Sequence, residues 1–331
     1  MIPTQAIPVF EMSQAGQVRR AATTLAKQIG FDSDVAGRVS LVATEAATNL
    51  VKHAQRGEIV LAAVPGPQVR AIDIVALDRG PGIQDLDRAL RDGFSTGGGM
   101  GMGLGAIRRM ASRFDLYSAE SGTILFARVG SNAASEAGGV EIGAVQVPYP
   151  GEELSGDAWA AAHAPGYTKV FVVDGLGHGA DANTAAQLAV QIFTRYSSDA
   201  PVALLQRIHD GLRPTRGAAG AVLELDHRAR LARFAGIGNT AASILVGDSG
   251  HSMVSHHGVL GHTARKLQEF TYPWPPRALV VLHSDGIASH WDLARYPGLE
   301  RRYPALIAAA LYRDFNRGRD DATVIAVREA A

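Results

Sequence analysis

The chain has 331 residues, and its 32 Lys and Arg side chains balance its 32 Asp and Glu side chains. A neutral chain has no overall attraction for nucleic acid or for an anionic membrane surface, so neither is expected as a partner. It contains no cysteine, which excludes disulfides, thiolate metal sites and cysteine nucleophiles. No apolar run reaches the roughly 18 residues that cross a bilayer, and the first residues lack the basic segment of a secretory signal. We therefore expect a cytoplasmic protein of about two domains.

The first 130 residues predict an α+β domain. Apolar side chains recur at helical spacing in three segments, and shorter apolar runs bounded by Gly and Pro mark the strands. Residues 31–34 resemble the N-cap of the second helix. The predicted elements are helices over 14–29 and 35–50, strands over 58–64 and 69–77, a helix over 104–114, and strands over 116–118 and 123–129.

Residues 131–139 are small and polar and predict a flexible linker, which divides the chain into domains of residues 1–130 and 140–331. The second domain is rich in strands and has paired helices, an order that predicts a sandwich of two sheets covered by helices. Its predicted strands are 140–147, 169–173, 221–225, 231–237, 242–246, 279–284 and 322–328, and its predicted helices are 184–196, 202–212, 287–295 and 303–311.

Three polar residues of the second predicted helix, Glu45, Asn49 and His53, are spaced at i, i+4 and i+8 and therefore share one face. A carboxylate and a carboxamide one turn apart suit Mg²⁺ chemistry. The amide oxygen can bind the hard cation, and the carboxylate can orient or deprotonate a nucleophile. An ordinary solvated helix face would show the same spacing.

Two glycine-containing turns follow. Asp78 ends a predicted strand and precedes Gly80 and Gly82, so its carboxylate could accept a hydrogen bond from a base amine while the glycines let the backbone approach a flat ring. A plain turn gives the same motif. Residues 97–105 contain six glycines directly before a predicted helix, and backbone N–H groups there could bind phosphates, although a flexible linker has a similar composition. The loop is neither a Walker A loop nor a Rossmann fingerprint.

Taken in this order, ExxxNxxxH, DxGxG and the Gly-rich segment resemble the GHKL ATPase and kinase superfamily, and within it the RsbT-like anti-sigma-factor serine kinases. The resemblance covers about residues 8–130 and implies a Bergerat-type α/β sandwich that binds ATP and Mg²⁺ and phosphorylates Ser or Thr of a partner. It implies that Glu45 is the general base and that Asn49 binds Mg²⁺. The further residues that it places at the nucleotide are His53, Asp78, Gly80, Gly82, Gly99, Gly101, Gly103 and Thr123.

The second domain carries four separated aspartate motifs. Three of them adjoin a predicted apolar strand, and Asp157 precedes a short hydrophobic one. Hydrophobic strands that end in acids meet at one edge of a sandwich, and clustered carboxylates repel one another unless cations are present. Oxygen ligands suit hard divalent ions, and two bridged ions can activate water for attack on a phosphoryl group. Any single Asp-Gly pair is more often a β-turn. The motifs contain Asp157, Asp174, Asp285 and the pair Asp320-Asp321.

This order of motifs resembles the PPM-type protein phosphatases, and within them the SpoIIE/RsbX-like bacterial branch, over about residues 140–329. It implies an αββα sandwich with two Mn²⁺ or Mg²⁺ ions. Asp174 would bridge the ions as the central catalytic residue, and the remaining ligands would be the Gly175 carbonyl, Asp157, Asp285 and Asp320, with Asp321 as the alternative to Asp320. His178 is a candidate outer contact or leaving-group acid, with a structural turn histidine as an equal alternative.

The sequence departs from many SpoIIE-type domains after the first Gly-Asp, where it has Ala158 to Ala162 instead of a second acid. The resemblance therefore does not extend to a third metal site. Together the two resemblances imply a bifunctional kinase and phosphatase that acts on a STAS-domain antagonist of the RsbS/RsbR type, with a sigma factor or a downstream phosphatase activator as further partners. Two alternatives stay open: a phosphatase with an ATP-sensing domain, and a non-catalytic binding module.

Overall fold

A computed structural model describes residues 2–54, 56–64, 70–90, 103–130, 139–247, 249–264 and 266–330. These residues form two compact units. The first contains the described residues of 2–134 and 296–310, and the second contains those of 135–295 and 311–331. The segment 296–310, which the sequence analysis placed in the second domain, joins the first unit, where the Tyr303 backbone N–H donates to Asp115 Oδ2 at 2.7 Å. The predicted linker, apart from Gly139, lies outside the described residues.

The first unit is built on an antiparallel sheet with strand order β1-β2-β3-β5-β4. Buried apolar residues of the first two helices, such as Val18 and Val42, pack with those of the strands, such as Ile74, in one core. The second helix begins where the Asp32 side chain accepts a hydrogen bond from the Val35 N–H at 2.8 Å, as its sequence predicted. The elements are β1 (Gln5–Val9), α1 (Met12–Gln28), α2 (Ser33–Asn49), a π-helical turn (Leu50–Ala54), β2 (Gly57–Ala63), β3 (Ala71–Asp78), α3 (Leu86–Ala89), α4 (Leu104–Met110), β4 (Arg113–Ala119) and β5 (Gly122–Gly130).

From residue 139 onward the described chain forms two further sheets, with strand orders β13-β10-β9-β8-β7 and β12-β11-β14-β15-β6. Apolar residues from both sheets share one core, and a second core lies between the first of these sheets and two helices. The elements are β6 (Val140–Val147), β7 (Asp157–Ala164), β8 (Tyr167–Gly175), α5 (Ala180–Arg195), α6 (Pro201–Gly211), β9 (Ala218–Asp226), β10 (Leu231–Ile237), β11 (Ala241–Val246), β12 (Ser249–Met253), β13 (Phe270–Pro273), β14 (Leu279–His283), α7 (Pro304–Phe315) and β15 (Ala322–Glu329). The predicted mixed α+β class is confirmed in both units.

Two predicted helices differ from the structure. The helix predicted over 104–114 ends at Met110, because the chain from Arg113 pairs with β5. The helix predicted over 287–295 is wrong except for a 3₁₀ turn at its end, Leu293–Arg295. There the backbone bonds elsewhere, since the Ala288 N–H donates to the Phe315 carbonyl at 2.9 Å. Among the helices of the described residues, none combines the length and hydropathy needed to cross a membrane.

Candidate functional sites

The first unit contains a cavity of about 470 Å³. Its wall is formed by the end of α2, the π-helical turn and the ends of β3, β4 and β5. Eight of the residues that the sequence placed at a nucleotide line it, namely Glu45, Asn49, His53, Asp78, Gly80, Gly82, Gly103 and Thr123. Gly99 and Gly101 lie outside the described residues. The helix spacing and the two turns therefore bring distant parts of the chain to one concave surface.

The polar wall of this cavity comes from the C-terminal end of α2. Glu45 and Asn49 lie on the helix, and His53 lies on the π-helical turn that continues it, a local widening often found at functional sites. Burial raises the pKa of the Glu45 carboxyl above its usual value, and the charge of Lys52 opposes that rise. Lys52 also lines the cavity. Lys52 was not among the residues predicted from the sequence, although it lies three residues after Asn49, next to the motif.

Asp78 is fixed at the end of β3. Its Oδ1 atom accepts hydrogen bonds from the backbone N–H of Gly80 at 2.8 Å and of Thr123 at 3.0 Å. Gly82 has a φ of +74°, and a Cβ atom there would come within 2.2 Å of the Ala119 carbonyl oxygen, so the turn requires glycine. The three strand ends thus form a rigid wall around a carboxylate that can accept a hydrogen bond from a ligand.

The second unit gathers the predicted aspartates at one end of its two sheets. Asp157 and Asp174 face each other across β7 and β8. Asp285 directly follows Ser284 at the end of β14, and Asp320 precedes β15 by two residues. Asp157 is fully buried. Its Oδ2 atom accepts a hydrogen bond from the Ser284 hydroxyl at 2.6 Å, whereas its buried Oδ1 atom has no hydrogen-bond partner among the described residues.

The carboxylates of this cluster raise one another's pKa. Burial is the largest cause for Asp157, whose pKa rises to about 8 against the hydrogen bond from Ser284, with further increases from the charges of Asp321 and Asp285. Burial also raises the pKa of Asp174 well above its usual value, and the neighbouring aspartates add to it. The cluster therefore carries more negative charge than its surroundings compensate.

The Asp320-Asp321 pair divides into two environments. Asp321 is 2% exposed, and its Oδ1 atom accepts a hydrogen bond from the Tyr149 backbone N–H at 2.8 Å. Asp320 is more exposed, and its charge raises the pKa of both Asp174 and Asp285. Asp321 also acts on the cluster, since its charge raises the pKa of Asp157 and of Asp174. Its buried Oδ2 atom has no hydrogen-bond partner among the described residues. Asp320 as the ligand, with Asp321 as the alternative, therefore stays a prediction.

The donor set fits hard divalent cations. It consists of carboxylate oxygens that repel one another, a buried Asp157 oxygen without a partner in the described chain, and the Gly175 carbonyl beside Asp174, all of the kind that Mn²⁺ and Mg²⁺ prefer. Within the described residues, no three His, Asp or Glu side chains are already close enough to hold a single ion.

His178 lies on the loop after Asp174, with half of its side chain exposed. Its Nδ1 atom is 3.1 Å from Glu152 Oε1, and its ring stacks on Tyr149 at 4.3 Å between centroids. Neither Glu152 nor Tyr149 was predictable from the sequence, because each lies more than two dozen residues before His178. The histidine is thus oriented by two partners at the rim of the cluster.

Two family models match separate parts of the chain. Residues 10–129 match the model of the histidine kinase-like ATPase domain family. Serine/threonine-protein kinase RsbT of Bacillus subtilis (strain 168) is 36% identical over 100 residues, which cover 30% of this chain and 75% of RsbT. A chain from a structure of the bacterial stressosome, described as a modular system adapted to control secondary messenger signaling, is 29% identical with a TM-score of 0.54. That match covers 57% of this chain and 99% of the stressosome chain, a larger part of this chain than the 120 residues that match the ATPase domain family.

The second unit has relatives of its own. Phosphoserine phosphatase RsbX of Bacillus subtilis (strain 168) is 24% identical over 144 residues, which cover 43% of this chain and 72% of RsbX. A crystal structure of RsbX in complex with magnesium has the same fold, with a TM-score of 0.53 and 18% identity over 58% of this chain and 96% of that chain. The predicted combination of an RsbT-like and an RsbX/SpoIIE-like domain is confirmed. Because the model of Stage II sporulation protein E (SpoIIE) matches residues 164–329, half of the chain, the protein belongs to the SpoIIE family and carries a histidine kinase-like ATPase domain before that region.

Proposed function

We propose that the chain is a bifunctional switch enzyme, an ATP-dependent protein serine kinase joined to a metal-dependent phosphoserine and phosphothreonine phosphatase. The observation that carries the proposal is the cluster of buried, mutually repelling carboxylates in one unit, because such a cluster needs cations to be stable in its charged form. The cavity lined by Glu45, Asn49 and Asp78 in the other unit supports the kinase half. RsbT, a serine/threonine-protein kinase, and RsbX, a phosphoserine phosphatase, support the pairing of activities.

In the kinase half, Asp78 would accept a hydrogen bond from the adenine amine of ATP, and Asn49 would hold Mg²⁺ through its amide oxygen. Glu45 would accept the proton of the incoming serine hydroxyl as that oxygen bonds to the γ-phosphorus and ADP leaves. A raised pKa suits this role, because a general base works best when its pKa approaches the working pH. Lys52 lines the same cavity, where its charge would attract the phosphates.

In the phosphatase half, two Mn²⁺ or Mg²⁺ ions would be held by Asp174, the proposed central ligand, together with Asp157, Asp285, Asp320 and the Gly175 carbonyl. When bound, the ions supply Lewis-acid activation of the phosphoryl group and of the water that hydrolyses it. His178, oriented by Glu152, would donate a proton to the serine oxygen as it leaves.

The proposed substrate is a STAS-domain antagonist of the RsbS/RsbR type in a partner-switching pathway of the cytoplasm, with a sigma factor or a downstream phosphatase activator as further partners. Similarity to RsbT, to RsbX and to a stressosome chain supports this choice. A chain with opposed activities also needs regulation, since the two together would only hydrolyse ATP. We infer that nucleotide occupancy or a partner favours one site over the other.

The test uses the full chain with STAS-domain proteins encoded near it, ATP and Mn²⁺, and follows phosphate on the STAS protein by intact-mass spectrometry. We expect the wild type to add and remove phosphate, Asn49→Ala to lose the addition, and Asp174→Asn to lose the removal. If Glu45→Ala binds ATP and still phosphorylates the partner, the assigned base is wrong. If ATP binds but no phosphate is ever transferred, the first unit is a nucleotide sensor. Partner binding without any turnover would identify a binding module.

A further inference from the structure

Ser284 is a fully buried hydroxyl between the strands that carry the carboxylates. Its Oγ atom accepts a hydrogen bond from the Thr323 backbone N–H at 3.0 Å and donates to Asp157 Oδ2 at 2.6 Å. The Thr323 N–H occupies the acceptor side of the hydroxyl, so its proton is directed at the carboxylate. One oxygen of Asp157 is thereby held in place, and the other is the buried Oδ1 atom that has no partner among the described residues.

Asn239 makes the equivalent contact with a second carboxylate. It lies in the turn between β10 and β11, and its Nδ2 atom donates to Asp285 Oδ2 at 2.5 Å. The turn is fixed because Gly238 has a φ of +91°, and a Cβ atom there would come within 2.5 Å of the Ala219 Cβ. The Gly238 N–H also donates to the His256 carbonyl at 2.9 Å. The amide is thus presented to Asp285 by a constrained backbone.

We propose that Ser284 and Asn239 are the positioning residues of the metal centre, each holding one oxygen of a ligand carboxylate so that the other oxygen faces the cation. This inference rests on the proposed metal-dependent phosphatase function. Both donors are neutral, and this affects how strongly the carboxylates can bind a cation. A Lys or Arg in the same place would form an ion pair with the carboxylate and compete with the cation, whereas a hydroxyl or an amide orients the carboxylate and leaves its charge available.

Removing either donor should weaken metal binding, because each variant loses one hydrogen bond that orients a ligand carboxylate. Without the Ser284 hydroxyl, Asp157 loses the hydrogen bond that fixes its rotamer, and without the Asn239 amide, Asp285 turns freely at the mouth of the site. Loss of a partner that orients a ligand typically weakens metal binding about 10- to 100-fold. The effect should fall on metal affinity and leave the rate at saturating metal nearly unchanged.

The experiment measures Mn²⁺ binding to the full chain by electron paramagnetic resonance of the free ion, with Mn²⁺ alone as the probe. We compare the wild type with Ser284→Ala and Asn239→Ala. Gln206→Ala is the matched control, because the Gln206 amide also donates to a carboxylate, that of Asp210 at 3.1 Å, on the exposed surface of α6. Ser284→Ala and Asn239→Ala should each bind Mn²⁺ about 10- to 100-fold more weakly than the wild type, and Gln206→Ala should bind it as the wild type does.

A second readout separates positioning from general damage. The Mn²⁺ concentration for half-maximal hydrolysis of p-nitrophenyl phosphate should rise with the dissociation constant, while kcat at saturating Mn²⁺ stays within about threefold, because excess cation restores the same centre. If a folded Asn239→Ala protein binds Mn²⁺ with wild-type affinity, the assignment of Asn239 is wrong. Because Asn239 is exposed, this variant still tests the inference if Ser284→Ala fails to fold. If the wild type binds Mn²⁺ and both folded variants bind it equally well, the inference fails and the proposed function stands. If the wild type does not bind Mn²⁺, both fail.

Discussion

Asp157→Asn should stabilise the metal-free protein at alkaline pH and abolish its stabilisation by Mn²⁺. Asp157 is fully buried, and burial raises its pKa to about 8. An aspartate in the unfolded chain has a pKa of about 3.8. The folded state therefore binds more protons between about pH 4 and pH 8, and stability falls as the pH rises through that window. Above about pH 8 both states are deprotonated, and this contribution becomes constant.

The size of the stabilisation follows from the difference between the pKa of Asp157 in the folded and in the unfolded protein. The two pKa values differ by about four units, and each unit corresponds to 1.36 kcal/mol. The charged Asp157 carboxylate therefore destabilises the folded state by at most roughly 6 kcal/mol. Asp174 shares the excess charge, so a single substitution recovers only part of it, and we expect about 2 kcal/mol at pH 8.5. For a unit of this size, each kcal/mol changes Tm by about 2–4 °C. The amide oxygen of Asn can still accept the Ser284 hydrogen bond, so packing is preserved.

The assay is thermal unfolding in EDTA at pH 5.5 and pH 8.5, repeated with Mn²⁺ at pH 8.5. The variant should unfold about 4–8 °C above the wild type at pH 8.5, with a smaller difference at pH 5.5. Mn²⁺ should raise the Tm of the wild type and leave the variant unchanged, because a ligand carboxylate is missing. Glu120→Gln, an exposed change in the first unit, should behave like the wild type. Equal stability of Asp157→Asn and wild type at pH 8.5 without metal would refute the reasoning.

Three further predictions concern single side chains. Glu45→Gln should keep ATP affinity and lose about 10²- to 10⁴-fold in phosphotransfer, measured by nucleotide titration and by phosphate incorporation into a STAS protein. Gly82→Ala should weaken ATP binding and destabilise the first unit by about 2 kcal/mol, since the φ of Gly82 is +74° and the added Cβ atom would meet the Ala119 carbonyl. Calorimetry of ATP binding checks this prediction, and phosphatase activity should not change. Lys169→Met should cost about 3 kcal/mol in urea unfolding, because it removes the cation 2.8 Å from the buried Glu224. Arg233 also forms an ion pair with Glu224, at 2.5 Å, and an unchanged midpoint would show that Arg233 compensates the Glu224 charge alone.

The fold was predictable wherever the apolar pattern is strong. The buried strand Leu279–His283 and the helix Ala180–Arg195 carry continuous or periodic apolar residues, and both were predicted close to their observed positions. The short strands Ser249–Met253 and Phe270–Pro273 were missed because most of their side chains are exposed or half-buried. They are strands because β11 and β10 pair with them. That is a property of neighbours distant in sequence, which no local pattern records.

The candidate sites, like the fold, were predictable from local motifs but not from contacts between residues that are distant in sequence. Glu45, Asn49 and Asp78 belong to short motifs with fixed spacing, and the structure places them in one cavity. Ser284 has no distinguishing motif beyond its position before Asp285, and its contact is with Asp157, 127 residues away. A sequence reveals the groups that carry charge, because their residue types are chemically conspicuous. The neutral donors that orient them become visible only when the strands are assembled.

The two proposed activities should respond differently to pH, because protons compete with cations at the carboxylate cluster. As the pH falls from 8 toward 6, Asp157 becomes protonated in the metal-free protein, and a cation must displace that proton to bind. Burial and the neighbouring aspartates raise the pKa of Asp174 as well, which adds to the competition. The Mn²⁺ concentration for half-maximal phosphatase activity should therefore rise by up to about tenfold per pH unit for each proton displaced. The proposed Mg²⁺ ligand of the kinase site, Asn49, is a neutral amide that does not bind a proton in this range, so proton competition for the cation should weaken that site less. Acidification at limiting metal would then shift the balance toward phosphorylation, and equal loss of both activities between pH 8 and pH 6 would contradict this argument.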